Sequence, residues 1–453
     1  METINQIEEI RDQFTGLINE KQMKAAFELI KDLNEVDIAH LIDELDPTTG
    51  VILYRLLPKD IATLVFANFD TEQQTAIINA STDQEVEHIL NELYFDDMVD
   101  LLEEMPSNVV NDILKHTTAA ERQLINQFLM YPDSSAGSMM TIEYVSLKKE
   151  MTVREALDKI KREGIDKETI YTLYVTDDKR ILEGTLSLRE LIVADVDTKI
   201  KALMSEDVIF AHTLDDREDV AKQFAKYDLT VLPIVDNEKR IVGIITVDDV
   251  LDVLEEETTE DFQIMAATTP NEKPYMSTSV FELAKDRIFW LLILMISATV
   301  TQKIINSYES LLSNIAFLSG FIPMLMDTGG NSGAQSSTLV IRSLATSDVT
   351  TADWLRVLWK EFRVALLCGI ALAIVNYFKI IYIDRIPANI ALTVSITLIF
   401  SVMSAKLAGG ALPMLAHKLK LDPAIMASPL ITTIADAISL VVYFMLARTI
   451  IGF

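Results

Sequence analysis

The sequence predicts a multidomain membrane protein. An acidic all-α N-terminal part is followed by a repeated α/β unit, an acidic connecting helix and a transmembrane domain of five helices. Three observations predict this. Charge is segregated: residues 1–280 carry 58 acids against 26 bases, a balance of −32, whereas 281–453 carry 10 against 13, a balance of +3, so the net charge is −29 over 453 residues. The long apolar stretches are confined to the second part. A pattern between 140 and 253 recurs 59 residues later. The acidic balance excludes a generic nucleic-acid binder, which needs a basic footprint. The single cysteine, Cys368, excludes an intramolecular disulfide, and the five histidines show no zinc-type spacing. METINQIEEIRD has neither a basic nor an apolar leader region, so no cleaved signal peptide is expected.

Residues 1–138 read as short amphipathic helices. Units such as Asp37-Ile-Ala-His-Leu-Ile42, Asp60-Ile-Ala-Thr-Leu-Val65 and Asp97-Met-Val-Asp-Leu-Leu102 recur, punctuated by prolines at 47, 58 and 106. Stacked helical pairs of this kind make a small solenoid, which is also a surface suited to binding protein.

The repeat follows. Leu173-Tyr-Val-Thr-Asp177 with Gly184-Thr-Leu-Ser-Leu-Arg-Glu-Leu191 returns as Leu232-Pro-Ile-Val-Asp236 with Gly243-Ile-Ile-Thr-Val-Asp-Asp-Val250. Each copy has a helical stretch (152–163; 215–227), two β-rich strands around a turn, and a further helix start. The pattern resembles tandem CBS domains, here 139–203 and 204–253. Such pairs often bind adenine nucleotides through Gly-x-x-Thr-x-x-Asp. Gly243, Thr246 and Asp249 match that turn, whereas Gly184, Ser187 and Glu190 of the first copy depart from it, so the resemblance implies at most one ATP-type site.

The connecting segment, 248–275, opens with DDVLDVLEEETTED, which holds eight acids, and no Lys or Arg occurs between Arg240 and Lys273. On a helix, Asp249/Asp252, Asp252/Glu256 and Glu257/Glu260 are surface neighbours, and each like-charge pair costs a few tenths of a kcal/mol. A solvated linker face is the plain reading. Oxygen ligands without His or Cys suit Mg²⁺ or Ca²⁺ rather than zinc, so the sharper reading is a cation sensor.

From 276 to 453 five spans are expected, at about 286–308, from near Leu311 towards Arg342, 362–383, 387–412 and 423–450; a span needs roughly 20 mostly apolar residues. The fourth is uncharged from Ile386 to Ala405. Arg342, Arg356, Lys360 and Arg363 mark one connection as cytoplasmic, and Lys418 and Lys420 another. The acidic half is then cytoplasmic and the C-terminus lies outside. Two intramembrane polar stretches are functional candidates. In Pro323-Met-Leu-Met-Asp-Thr-Gly-Gly-Asn-Ser-Gly-Ala-Gln335, the proline and glycines imply a broken or closely packed helix. In Asp422-Pro-Ala-Ile-Met-Ala-Ser-Pro-Leu-Ile-Thr-Thr-Ile-Ala-Asp436, Ser428, Thr432 and Asp436 fall within about 80° of one another. Interhelical hydrogen bonding is the structural alternative for Ser and Thr; Asp436 has no basic partner in its own segment.

This order of parts, with the two polar stretches and Ala136-Gly-Ser-Met-Met-Thr141, resembles the MgtE family of Mg²⁺ channels over essentially the whole chain. The resemblance implies no enzyme but a homodimeric Mg²⁺ channel of the inner cell membrane, in contact with lipid, with a pore lined by spans two and five. Asp436 stands at the pore carboxylate, Thr432 supplies a carbonyl nearby, Asn331 and Gly329 are pore-side positions, and Ser428 stands where some members carry Asn. The segment from Asp248 to about Ala267 resembles the plug helix. Asp249, Asp252, Glu257, Glu260 and Asp261 match its Mg²⁺-sensing acids, Asp228 a further one in the CBS part, and Asp96 and Asp100 acids that bridge to the plug. Cytoplasmic Mg²⁺ would favour only the closed state and shift the population there.

Two other functions compete. A proton- or Na⁺-coupled divalent exchanger uses the same carboxylate, and single-channel recording separates it from a channel. An intramembrane aspartyl protease is suggested by Asp327-Thr-Gly329 with Asp436 as partner, and peptide cleavage tests it. No Walker-type loop occurs, so ATP would be regulatory. One carboxylate does not choose among Mg²⁺, Mn²⁺, Co²⁺ and Ca²⁺.

Overall fold

The computed structural model describes residues 10–451 except 12, 19, 21, 44, 46, 70, 106–108, 111, 112, 115, 116, 272, 274, 277, 316, 347 and 427. Two compact units result, Met1–Leu254 and Glu255–Phe453.

The first unit contains helices α1 (Met23–Ile30), α2 (Glu35–Asp43), α3 (Pro47–Tyr54), α4 (Lys59–Ala67), α5 (Thr71–Ala80), α6 (Asp83–Glu92), α7 (Phe95–Glu104) and α8 (Ala119–Phe128). Contacts run α2 to α4, α3 to α5, α4 to α6 and α5 to α7, the overlapping order of a stacked helical array. Thr82 with Glu85 and Thr118 with Glu121 form reciprocal caps at the starts of α6 and α8.

Two three-stranded sheets follow. β1 (Ser146–Leu147), β2 (Thr172–Thr176) and β3 (Leu182–Ser187) are matched by β4 (Ala211–His212), β5 (Val231–Val235) and β6 (Ile241–Thr246). In each sheet the first pair is parallel and the second antiparallel. The registers repeat at the same 59-residue offset: Thr172 pairs with Ser187 and Val231 with Thr246, and both hairpins slip at equivalent points, Val175/Thr176 and Ile234/Val235. Helix α9 (Val153–Glu163) covers the first sheet, with α10 (Leu188–Val193) after it; α11 (Arg217–Tyr227) covers the second. The short parallel strands β1 and β4 add to the two strands per copy that the sequence pattern suggested.

The copies are interlocked. Thr141, which precedes the first sheet, bridges Ile244 of the second, and Ser205, which precedes the second, bridges Thr185 of the first. Gly184 and Gly243 permit this, since a Cβ would fall 2.9 Å from the Ser205 carbonyl oxygen at one and 2.7 Å from that of Thr141 at the other. Ala136 and Met140 belong to a core shared by the helical array and the second α/β copy, including Val220 and Ile245. The Ala136–Thr141 run therefore docks on the second copy, not the first that it precedes.

Helix α12 (Val247–Met265) carries the acidic run across the boundary between the units. The second unit then holds α13 (Val280–Ser307), the short α14 (Glu309–Asn314), α15 (Phe317–Ala345), α16 (Trp354–Phe378), α17 (Ala388–Lys418) and α18 (Ser428–Ile451). Among the described residues, four stretches are long and apolar enough to cross a membrane: Val280–Ser307, Thr351–Ile383, Ala388–Lys418 and Pro423–Ile451. Helix α15 is equally long at 29 residues, but its polar run from Asp327 to Gln335 dilutes its hydropathy. It begins at Phe317, after a break that separates it from α14, so the span expected from near Leu311 starts six residues later. The third helix starts eight residues earlier than expected, at Trp354, because an amphipathic turn precedes its apolar stretch. Helix α15 is packed rather than broken, and Pro323 lies inside it. It lies against α17 and α18, whereas none of the apolar window of α13 is buried.

Candidate functional site

In the first unit, six carboxylates from three parts of the chain gather: Asp96 and Asp97 from α7, Glu143 and Glu168 from around the first sheet, and Asp248 and Asp249 from the start of α12. Asp96 is 8 % exposed, and its Oδ1 and the Oε2 of Glu168 are buried without a hydrogen-bond partner among the described residues. Burial, then the neighbouring Asp249, Asp97 and Glu168, pushes the Asp96 carboxyl well above the carboxylate range. Burial first, then Asp249, Asp248 and Glu143, raises Asp97 to about 6; burial, then Asp248, Asp249, Asp97 and Glu143, raises Glu168 to about 7. Burial raises Asp249 to about 6, with Asp248 and Asp252 adding to it and the hydrogen bonds from Thr246 opposing it. Desolvation and like charge act in one direction here. Among the described residues, no three such groups converge on one point as a closed metal cage. The arrangement suits an ion that keeps part of its water and bridges surfaces, as Mg²⁺ does.

Of the acids named from the sequence, the structure brings Asp96 and Asp249 into this cluster. Asp100 is exposed one turn along α7. Asp228 is exposed and caps α11 in the left-handed region, with φ 52°. Asp252 and Glu260 are exposed and Glu257 and Asp261 half-buried along α12. Asp97, Glu143 and Glu168 were not singled out as sites; only the Asp-Asp step at 96–97 hinted at one of them.

Of the nucleotide-type turn, Thr246 and Asp249 hydrogen-bond each other, Oγ1 to Oδ2 at 2.7 Å, and start α12 as Ser187 and Glu190 start α10. Gly243 is taken up by the close approach to Thr141. A surface cavity of about 300 Å³ lies instead between residues 208–210 and α11, lined by Phe210, Lys222, Lys226 and Tyr227 among others. The Lys239 ammonium lies over the Phe210 ring at 5.3 Å. Aromatic faces with lysines around them suit a planar anionic ligand.

In the second unit, Asp327, Asn331 and Gln335 are spaced by four on α15 and all three are exposed. Asn331 Nδ2 donates to Asp327 Oδ1 at 3.1 Å. Half-buried Asp436 on α18 is close enough to feel the Asp327 charge. Thr432 is half-buried, with Oγ1 donating to the Pro429 carbonyl and its Cβ against Gly330. The side chain of Ser428 lies outside the described residues. Gly329 lies in the packing seam rather than on the exposed stripe, for a Cβ there would come 2.6 Å from Ser401 Oγ and 2.8 Å from Ser439 Oγ. Gly333 likewise meets Ile431 and Ala405. Glycines let α15 approach α17 and α18 closely, as small residues do in membrane bundles. Asp327, which the sequence places in a protease-like triplet, joins the stripe.

Comparison with known proteins decides the family. The family model described as a divalent cation transporter, MgtE, matches residues 322–446, the MgtE intracellular N domain matches 33–134, and CBS domains match 136–197 and 200–256. The chain is 38 % identical over 440 residues to the magnesium transporter MgtE of Thermus thermophilus, covering 96 % of this chain and 97 % of that one. The chain belongs to the MgtE family. To the Bacillus subtilis magnesium transporter MgtE it is 32 % identical, covering 93 % and 96 % of the two chains. A crystal structure of the cytosolic domain of the Mg²⁺ channel MgtE in complex with ATP is 36 % identical, with a TM-score of 0.51, covering 54 % of this chain and 99 % of that one. The soluble part of a magnesium transporter is 32 % identical with a TM-score of 0.50, covering 55 % and 99 %. The MgtE family is one of transporters, not enzymes.

Proposed function

We propose that this MgtE-family chain mediates magnesium uptake across the cell membrane as a Mg²⁺ channel. The observation that carries the reading is the exposed stripe Asp327–Asn331–Gln335 beside Asp436 in an otherwise apolar helical bundle. A polar stripe at membrane depth requires water or protein against it. A second copy across a twofold axis supplies both, doubling Asp436 and enclosing a wet pathway. Mg²⁺ dehydrates reluctantly, so few carboxylates in a wide pathway suit it. The basic connections at 342–363 and 418–420 support a cytoplasmic N-terminal part and an outside C-terminus.

Gating follows from the acidic cluster. With Mg²⁺ between α7, the first sheet and α12, repulsion among the six carboxylates is neutralised and the closed arrangement is favoured; without it, the same charges separate the surfaces. The acids Asp252, Glu257, Glu260 and Asp261 extend that response along α12 and Asp100 along α7, and Asp228 at the end of α11 is a further sensing acid. Any ATP is regulatory, and the cavity at Phe210 and Tyr227 is the favoured seat for its base.

Asp436→Asn in proteoliposomes tests the pathway. Mg²⁺ uptake is expected to fall to the rate of empty vesicles while the protein remains dimeric in detergent. Uptake equal to the unsubstituted protein refutes it.

A further inference from the structure

Lys406 is a charge that the pathway above does not use. It lies within α17 and is 5 % exposed. Its ammonium faces α15, 3.3 Å from Ser336 Oγ, 3.4 Å from the Ser332 carbonyl oxygen and 3.5 Å from Gln335 Oε1. A lysine among apolar membrane helices is costly and marks function by default. The sequence showed it only as the residue that ends an uncharged stretch.

Ser336 links it to an opposite charge. Its hydroxyl accepts from Lys406 and donates to Glu361 Oε2 of α16. Glu361 reaches that serine across Gly410, whose Cβ would fall 3.2 Å from Glu361 Cγ. At Gly409 a Cβ would collide with the Gly333 carbonyl oxygen. Three helices thus approach closely enough for one serine to sit between an ammonium and a carboxylate.

Gln335 links Lys406 to the stripe. It lies eight residues from Asp327, about 12 Å along the helix at 1.5 Å per residue, on the side of the basic 342–363 connection. We propose that Lys406, partly balanced by Glu361 through Ser336, is a specificity-determining charge of the ion pathway. It holds Gln335 on the wall, and its field keeps a divalent cation from being bound too tightly to leave. Carboxylates at Asp327 and Asp436 attract a divalent ion strongly, and conduction requires release as well as entry. A fixed positive charge opposes a divalent ion with twice the energy it opposes a monovalent one.

This inference rests on the pathway reading, and the test separates the two. Full-length protein is reconstituted in phosphatidylethanolamine–phosphatidylglycerol vesicles loaded with a Mg²⁺-sensitive dye, and initial uptake is measured against external Mg²⁺. A fixed charge on the order of 10 Å from a divalent ion, at an effective dielectric near 20, changes its occupancy by on the order of a hundredfold. Glu361 cancels part of that, so Lys406→Met is expected to lower the half-saturating Mg²⁺ concentration roughly three- to thirtyfold and to slow the saturating rate. Lys406→Arg keeps half-saturation near the original value. Glu361→Gln, which leaves the lysine unbalanced, raises it, and Glu361→Gln added to Lys406→Met moves it back up. A structural role alone shifts the saturating rates without these opposite shifts in half-saturation. Unshifted half-saturation in both Glu361→Gln and Lys406→Met overturns the inference while leaving the pathway intact. Absence of uptake by the unsubstituted protein overturns the pathway reading, and this inference with it.

Discussion

Glu168→Gln tests the acidic cluster directly. The carboxyl of Glu168 is raised to about 7, first by burial and then by Asp248, Asp249, Asp97 and Glu143, and its Oε2 has no hydrogen-bond partner among the described residues. A carboxyl raised on folding makes the native state bind more protons than the unfolded one, so stability falls as pH rises through the interval between the two values. Here that interval runs from the ordinary value of 4.5 to about 7. Each unit corresponds to about 1.4 kcal/mol, which caps the cost of ionised Glu168 near ~3 kcal/mol; solvent screening at a half-buried side chain reduces it to about 1–2 kcal/mol. In EDTA at about pH 8, Glu168→Gln should stabilise the soluble part by that amount. Near pH 4 the gain should disappear, because the native glutamate is then neutral as well. The assay is urea unfolding of the segment 1–265, whose counterpart in relatives crystallises alone. Saturating Mg²⁺ should stabilise the unsubstituted segment more than the variant. A variant that is destabilised at high pH, or whose effect is the same at both pH values, would refute the reasoning.

Two further outcomes follow from the membrane unit. Gly333→Ala places a Cβ 2.5 Å from Ile431 Cγ2 and 3.2 Å from the Ala405 carbonyl oxygen, so it should cost about 1–3 kcal/mol and lower the thermal midpoint of the detergent-solubilised protein; an unchanged midpoint contradicts the seam. Gln263→Ala removes the amide that accepts from Asn271 N–H and donates to its carbonyl, so hydrogen exchange across 266–279 should accelerate by roughly tenfold, the loss of about 1 kcal/mol or more; unchanged exchange contradicts the contact.

The repeat was legible because strand pairing depends on local alternation and turn residues: the 59-residue offset in sequence is the same offset in register, down to the slip before Thr176 and Val235. The apolar helices were legible for the same local reason. Helix α15 was harder, since Asp327 to Gln335 breaks its hydropathy while glycines 329, 330 and 333 supply its packing. A glycine in a polar run reads equally as pore or as seam, and only the neighbours Ser401 and Ser439 decide for Gly329. Asp97, Glu143 and Glu168 come together through tertiary assembly, from positions with no shared periodicity. Lys406 gave no signal for a similar reason: its partners Ser336 and Glu361 come from other helices.

The end of α12 has a mechanical consequence. Gln263 grips both backbone groups of Asn271, Asn271 Nδ2 reaches Asp286 Oδ2 of α13 at 3.1 Å, and Thr269 N–H donates to the Asp286 carbonyl. The connection between the two helices is therefore not a slack tether whose length absorbs displacement. Its first part is cinched to both elements, so a shift of the last turn of α12 has little lost motion before it pulls on the start of α13. Backlash in such a linkage is set by two side-chain amides rather than by the number of residues in the loop.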